Sequence, residues 1–432
     1  MMNNQNGAHF YFAGHDTVDL ARQFGTPLYV LSEDMIRQRC SAIRTTFLDR
    51  HPHSRAAYAS KAFLSMAMCR IIESEGLHLD VVSGGELYTA LQAGFPMERV
   101  LFHGNNKGLD EMAMAITHDV GRIVADHPEE ISLLEAIAAE AGKRIKIQIR
   151  IVPEVEGKTH KHIMTGQKDT KFGVPINREV IRSVVKQAMD SPHLELMGFH
   201  FHIGSNLFEQ DIYVTAVERV MQLCRELKTE LGFTARELNT GGGYGIRYTN
   251  ADIPQPASHY TDAIMTAVSR CCRELDLPVP AVTIEPGRWI VGEAGITLYS
   301  VGAVKTIPEI RTYVSVDGGM PDNIRPALYS ARYEAIVANK TDQPATETVT
   351  IAGRCCETGD ILIWDMKSPP LQRGDTLAVL STGAYNDSMA SNYNKLPRPA
   401  VVLLSGDQAR VMVDRETMED LLIRERRAAG QS

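Results

Sequence analysis

The chain has 432 residues, 44% of them hydrophobic and 23% charged, enough for a large buried core and for two domains. Its formal net charge of -8 is spread without long acidic or basic runs. That leaves no nucleic-acid footprint or polybasic membrane patch and points to small molecules as partners. Seven cysteines, including the adjacent pairs Cys271/Cys272 and Cys355/Cys356, fit neither a disulfide framework nor a CxxC metal pattern and predict reduced thiols.

The first residues, "MMNNQNGAHFYFAG", lack the basic start and apolar core of a signal peptide, and no apolar run approaches bilayer length, so a cytoplasmic protein is expected. An early strand, "PLYVLS", precedes the main body and is expected to pair with it. From about residue 55 to 288 eight short β-like runs follow: "AAYAS", "LHLDVVS", "RVLFHG", "GRIVAD", "IKIQIRIVP", "LMGFHFHIG", "ELNTGG" and "AVTIEPG". Between them lie amphipathic segments long enough for crossover helices, such as "AFLSMAMCRIIESEG", "GGELYTALQAG", "HPEEISLLEAIAAEAG" and "DIYVTAVERVMQLCRELKTELG". Eight parallel strands alternating with helices predict an α/β fold with a TIM-type (β/α)8 barrel; a doubly wound open sheet competes, because periodicity does not show closure.

After about residue 290 strand candidates run on without helices between them: "GITLYSVGAVKTI", "TYVSVDG", "ETVTIAG", "DTLAVLSTGAY" and "PAVVLLSG". This predicts an all-β C-terminal domain, and "ETMEDLLIRERRAAG" suggests a terminal helix. The expected division is a barrel over residues 32–290 and a β domain over 291–432, joined by the N-terminal segment 1–31.

Barrel chemistry sits at the C-terminal ends of the strands, and phosphate often binds after strands seven and eight. The seventh run ends in "NTGGGYG", where Gly241, Gly242 and Gly243 let backbone N–H groups approach an anion; the spacing is not GxGxxG, and a plain structural turn is the competing reading. The eighth ends in "IEPGRW", placing Glu285 and Arg288 there, either as a simple ion pair or as ligand-binding groups. The sixth carries "FHFHIGSN", whose alternation puts His200 and His202 on one side of the strand. Without a third ligand at convincing spacing these read as packed imidazoles, one against a flat ligand, rather than as a metal site. Lys61, in "YASKAFLSM", ends the first run at the same mouth. A lone lysine is usually a solvated charge, but a desolvated amine beside a phosphate cradle is a candidate for an imine with pyridoxal 5'-phosphate (PLP). A carboxylate opposite the pyridine nitrogen would keep that ring protonated.

Taken in order, "FGTPLYVLSEDMIR", "YASKA", "DVVSGGEL", "FHGNNK", "HKHIMTGQKDTKFGV", "HFHIGSN", "NTGGGYG", "EPGR", "VDGGMPDNIRPALY", "CETGD" and "GAYNDSMASNYNKLPRP" resemble the fold-type III PLP-dependent decarboxylases, most closely those acting on diaminopimelate. The resemblance covers nearly the whole chain. It implies that Lys61 carries the cofactor, His202 stacks on its ring and Glu285 pairs with the pyridine nitrogen. Ser205, Gly242, Gly243, the turn at Gly287 and Arg288, and the Tyr385 hydroxyl would hold the phosphate region. Arg288, Arg325 and Tyr329 match positions for the substrate's distal carboxylate, with Tyr385 nearby, and Glu357 matches one for its distal amino group. The resemblance further implies a homodimer with shared active sites, in which Cys356 arrives from the partner as proton donor. From the residues alone, Arg325 reads as surface, Tyr329 as core and Cys356 as a buried structural thiol. Asn206, where many members have Gln, and Asn386 and Asp387 after "GAY" depart from the family pattern.

The implied activity is decarboxylation of meso-2,6-diaminopimelate to L-lysine and CO2. The alternatives are a decarboxylase of the same family acting on D-lysine, D-ornithine or another basic amino acid, an amino-acid racemase, and a non-catalytic homologue. A racemase of similar barrel would set an arginine where Glu285 stands. A non-catalytic homologue would be expected to lose the lysine, the glycines or the cysteine.

Overall fold

The structure is a computed structural model that describes residues 8–155 and 170–425. It resolves into two compact units. Of the described residues, one comprises 39–155, 170–246 and 254–290, the other 8–38, 247–253 and 291–425.

The first unit is a closed barrel of eight parallel strands. They are β1 (Arg55–Ala59), β2 (His78–Val81), β3 (Val100–Phe102), β4 (Arg122–Ala125), β5 (Ile145–Val152), β6 (Leu194–His200), β7 (Glu237–Asn239) and β8 (Ala281–Ile284). Closure is direct: Thr283 and Ile284 of β8 pair with Arg55 and Ala56 of β1, which rules out the open sheet. Strand interiors such as Tyr58, Leu79, Phe102, Ile147 and Phe199 are fully buried or nearly so, each worth roughly 1.5–3 kcal/mol relative to exposure. The crossover segments form helices over Met66–Ser74, Gly84–Ala93, Pro128–Glu140 and Asp211–Leu231. Their starts are set by local chemistry: Ser65 Oγ accepts from Met68 N at 3.1 Å and Ser83 Oγ from Glu86 N at 3.2 Å, satisfying amides that the first helical turn leaves open.

The second unit is built around β9 (Gly295–Ile307). That strand runs antiparallel to β10 (Arg311–Val316), to β14 (Thr376–Val379) and to the N-terminal strand Leu28–Ser32. The sheet continues through β12 (Glu347–Ala352) and β13 (Ile361–Ser368) on one side and β15 (Ala400–Ser405) and β16 (Gln408–Val413) on the other. A short β11 (Ala335–Val337) pairs with β14. Phe10, Val30, Leu298, Val402 and Leu404 form its core. The N-terminal strand therefore does not pair with the barrel as the sequence suggested. A closed barrel offers no free edge, and this strand finds β9 and β15 instead. An N-terminal helix, Thr17–Phe24, capped by Asp16, precedes it. Residues 247–253 group here because Ser381 Oγ donates to the Arg247 carbonyl at 2.7 Å and Asn250 N to Glu334 at 2.7 Å. The expected terminal helix is reduced, among the described residues, to a single turn at Asp420–Leu422; residues 426–430 of that stretch lie outside them. Among the described residues no helix is long and apolar enough to cross a membrane.

Candidate active site

In the barrel the predicted residues collect at the C-terminal strand ends. Lys61 lies in a single turn, Ser60–Ala62, directly after β1. Its side chain is exposed, so the surrounding protein atoms do not supply the desolvation expected of it.

Glu285, the residue after β8, is 6% exposed and is the best-defined group of the site. Asn239, the last residue of β7, donates to its Oε1 at 2.6 Å; His103 Nε2 stands 2.9 Å from the same oxygen and His200 Nε2 3.1 Å from Oε2. Burial pushes the carboxyl up, but the two imidazoles, through charge and hydrogen bonding, hold it well below the usual carboxylate range. His200 itself is pushed down to about 3 by burial, against the pull of Glu285. A neutral His200 facing a carboxylate through Nε2 must carry its proton there. Asp80, in β2, adds a second acid 3.7 Å from His103 Nε2. Burial pushes His103 down, but Asp80 and Glu285 together raise it above the ordinary histidine value.

A carboxylate offers about four acceptor positions. Hydrogen bonds from Asn239 and His200 take two at Glu285, with His103 Nε2 close by at 2.9 Å, which leaves room for a further donor such as a protonated ring nitrogen. The same three side chains, His103, His200 and Glu285, present ligand atoms within 4.8 Å of one another, with the Nε2 atoms of the two imidazoles 2.9 and 3.1 Å from the carboxylate. Glu285 and Arg288 do not share the ion pair that served as the bland alternative: Arg288 donates to Ser205 Oγ at 2.9 Å.

The glycine-rich loop after β7 fits by backbone contact. Gly243 adopts φ +97°, and a Cβ there would lie 2.1 Å from the Gly204 carbonyl; one on Gly242 would lie 2.0 Å from the Glu285 carbonyl. Only glycine fits either position. Asn206 departs from the usual residue, but its Oδ1 accepts from Ile246 N at 3.1 Å, so it ties the β6 loop to the glycine loop. Strand β6 ends at His200, and His202 lies in the loop beyond, its Nδ1 accepting from Gly242 N at 3.4 Å. Burial, with Lys61 and Arg150 nearby, holds His202 well below the ordinary histidine value, so it is a neutral flat ring. Arg288 and the Ser205 hydroxyl, beside the glycine-loop amides, make a donor set suited to a phosphate group. These residues fit PLP.

In the second unit the residue-only readings are reversed. Arg325 is 8% exposed and Tyr329 58%. The Arg325 guanidinium donates to Tyr248 Oη at 2.8 Å and Tyr333 Oη at 2.6 Å, and lies 5.9 Å from the Tyr385 ring centre. Tyr385 has φ +62°, an uncommon conformation for a non-glycine residue and one that recurs at functional sites. Cys356 is exposed rather than buried, as is Glu357, on the loop between β12 and β13. Buried Asp360 anchors that loop, accepting from Met320 N at 2.6 Å and Cys355 N at 2.8 Å. Asn386 is buried and Asp387 is pushed up to about 6 by burial, so neither departure creates a solvated polar patch. Of "HKHIMTGQKDTKFGV", residues 160–169 lie outside the described residues.

Asp80, His103 and Asn239 were given no role from sequence. All three stand in quoted motifs, "DVVSGGEL", "FHGNNK" and "NTGGGYG", at the ends of β2, β3 and β7, and strand-end position was the available signal.

A family model described as "Pyridoxal-dependent decarboxylase, pyridoxal binding domain" matches residues 33–292. The chain is 48% identical to the diaminopimelate decarboxylase of Bacillus subtilis (strain 168), over 97% of this chain and 95% of that one. It is 46% identical to that of Bacillus methanolicus, over 96% of each. A crystal structure of diaminopimelate decarboxylase from M. jannaschii in complex with L-lysine superposes with a TM-score of 0.92 at 33% identity, covering 98% of this chain and 97% of that chain. The chain belongs to the pyridoxal-dependent decarboxylases, in the branch of the diaminopimelate decarboxylases.

Proposed function

We propose that this protein decarboxylates meso-2,6-diaminopimelate to L-lysine and CO2 with PLP as cofactor. The observation that carries the reading is buried, ionised Glu285, hydrogen-bonded by Asn239 and His200 and with acceptor capacity left for a further donor. Bound PLP supplies an electron sink for the pair released as CO2 leaves. Lys61 binds the cofactor at the end of β1, and neutral His202 packs on its flat face. Ser205, Gly242, Gly243, Gly287, Arg288 and Tyr385 hold the phosphate. Glu285 keeps a proton on the ring nitrogen, with Asn239, His103 and His200 fixing its orientation.

Arg288, Arg325, Tyr329 and Tyr385 bind the substrate's distal carboxylate, and Glu357 its distal ammonium group. The bond from the D-configured carbon to its carboxylate breaks as CO2 leaves without the bonding pair, and Cys356 donates the proton that this pair takes up at carbon to complete L-lysine. Cys356 and Glu357 serve the site of a partner subunit in a homodimer; their exposure on an anchored loop supports this. Residues 32–290 form the cofactor-binding segment, and 291–432 with 1–31 the β segment. The seven cysteines form no disulfide among the described residues, which supports a reducing, cytoplasmic location.

The test is CO2 release and product identity from PLP-loaded protein offered meso-diaminopimelate, D-lysine, D-ornithine and L-arginine in parallel. Preference for meso-diaminopimelate with L-lysine as product is expected. Activity mainly on D-lysine or D-ornithine would sink the distal-site assignments of Arg325 and Glu357. Lys61→Ala should abolish the borohydride-trapped adduct between protein and cofactor.

A further inference from the structure

The N-terminal end of the barrel, opposite the strand ends that carry the chemistry, holds a half-open pocket of about 470 Å³, within the range of small-molecule sites. It is lined by residues that open the strands: Arg55 begins β1, Arg122 begins β4 and Glu237 begins β7. Glu237 is buried and accepts from Arg55 at 3.0 Å, Arg122 Nε at 2.8 Å and Gln148 Nε2 at 3.0 Å. This knot braces the barrel floor, the usual work of that face, but bracing leaves a charge over. Two guanidinium groups share one carboxylate.

The rest of the lining does not cancel that charge. Lys143 is neutralised by Asp119 at 2.7 Å. Arg144 and Lys146 are both exposed on the rim, with Glu98 as the remaining acid of the lining. Nearby Glu195 is already engaged by Arg236 at 2.8 Å. His78 contributes no positive charge near neutral pH, since burial and the surrounding arginines push it down to about 4. The lining therefore carries two uncompensated positive charges. A second observation is independent of charge: Gln148 is 1% exposed and its Oε1 has no hydrogen-bond partner among the described residues. A buried acceptor left open costs about 1–3 kcal/mol and is satisfied by a ligand that brings a donor.

We propose that this cavity is a second ligand site, built for a small dicarboxylate that also carries a hydroxyl or ammonium donor. The two carboxylates match the surplus of Arg55 and Arg122 within and of Arg144 and Lys146 at the rim, and the donor meets Gln148 Oε1. Nothing in the decarboxylation uses these residues.

Calorimetric titration of the PLP-loaded enzyme with malate, succinate, lactate and inorganic phosphate tests the site. Malate is expected to bind. Succinate, which lacks the donor, should bind about fivefold more weakly, the worth of one hydrogen bond. Lactate, with one charge, should bind at least about tenfold more weakly. Reversing the exposed rim with Arg144→Glu and Lys146→Glu should weaken malate at least about tenfold without touching the buried knot. Gln148→Met should lower malate to the affinity of succinate and leave succinate unchanged. No heat with malate up to about 10 mM, near the weak end of measurable affinity, overturns the proposal. Unchanged malate binding in the rim variant, or phosphate binding more tightly than malate, does so as well.

Discussion

Replacing Glu285 with Gln changes one oxygen to an NH2 group at the centre of the barrel site. In the native site both carboxylate oxygens face donors: Asn239 Nδ2 at 2.6 Å and His103 Nε2 at 2.9 Å on one, His200 Nε2 at 3.1 Å on the other. The amide keeps a single acceptor oxygen and turns its own donors toward at least one of these groups. A buried donor left facing a donor costs about 1–3 kcal/mol, and the charge-assisted bond proposed to the ring nitrogen is lost as well, at about 1.5–3 kcal/mol. Only the second term acts on the reaction itself, because the neutral amide does not favour a protonated ring. Glu285→Gln should therefore lower kcat for CO2 release by about a hundredfold, near 3 kcal/mol of barrier, and lower stability in urea by about 1–3 kcal/mol. The cofactor absorbance should also shift in a protein that still traps PLP on Lys61 with borohydride. A variant with bound cofactor and kcat within about threefold of wild type would refute the reasoning, since Glu285 would then be a structural acid only.

Three further outcomes follow from buried groups. Gly242→Ala places a Cβ 2.0 Å from the Glu285 carbonyl oxygen, so about 1–3 kcal/mol of overpacking and weaker PLP retention are expected; unchanged urea denaturation and cofactor affinity would contradict the backbone packing described. Lys107→Met removes the partner of buried Glu130 and the donor to the Gly104 and Val124 carbonyls. The loss should be about 3–5 kcal/mol, read by urea midpoint. Burial pushes Asp322 up to about 7, aided by Asp360 and Asp317 and against hydrogen bonds from Tyr299 and Gly319. A carboxyl raised in the folded state binds more protons folded than unfolded, so its contribution is full near pH 4 and is lost as pH rises through 7. Relative to Asp322→Asn, wild type should lose up to about 1.4 kcal/mol per pH unit between about pH 4 and 7; parallel stability curves for the two proteins would contradict this.

The barrel was legible because each strand is a short apolar run bounded by turn residues, and because barrel chemistry falls at strand ends, where Lys61, Glu285 and Arg288 stand. Closure was not, since pairing between β8 and β1 joins residues more than two hundred positions apart and leaves no local pattern. The partner of "PLYVLS" was misjudged for a related reason: a strand pairs with whatever edge is free, and edges are a property of the finished sheet. Arg325 and Tyr329 sit in a five-residue helix, Arg325–Tyr329, too short for periodicity to say which side is inward. Generic expectation then put the charge outside and the aromatic inside, and the tyrosine cage of Tyr248 and Tyr333 inverted it. Strands β11, β13 and β16 escaped notice because "AIV" is too short and because "ILIWDMKS" and "QARVMV" mix charge into the alternation.

The supporting residues of the site share one trait that explains why sequence hid them. Asp80, His103 and Asn239 act through another side chain, so each looks like an ordinary polar residue closing a strand, and its importance appears only when Glu285 is in place to receive it. Asp360 does the same in the second unit, where its two oxygens hold the amides of Met320 and Cys355. Residues that touch the reacting groups carry their chemistry in their type: a lysine, a cysteine or a glycine run. Those that position them carry it in geometry, and a buried carboxylate held by Asn239 and His200 with acceptor capacity left over is a feature that only the folded barrel makes.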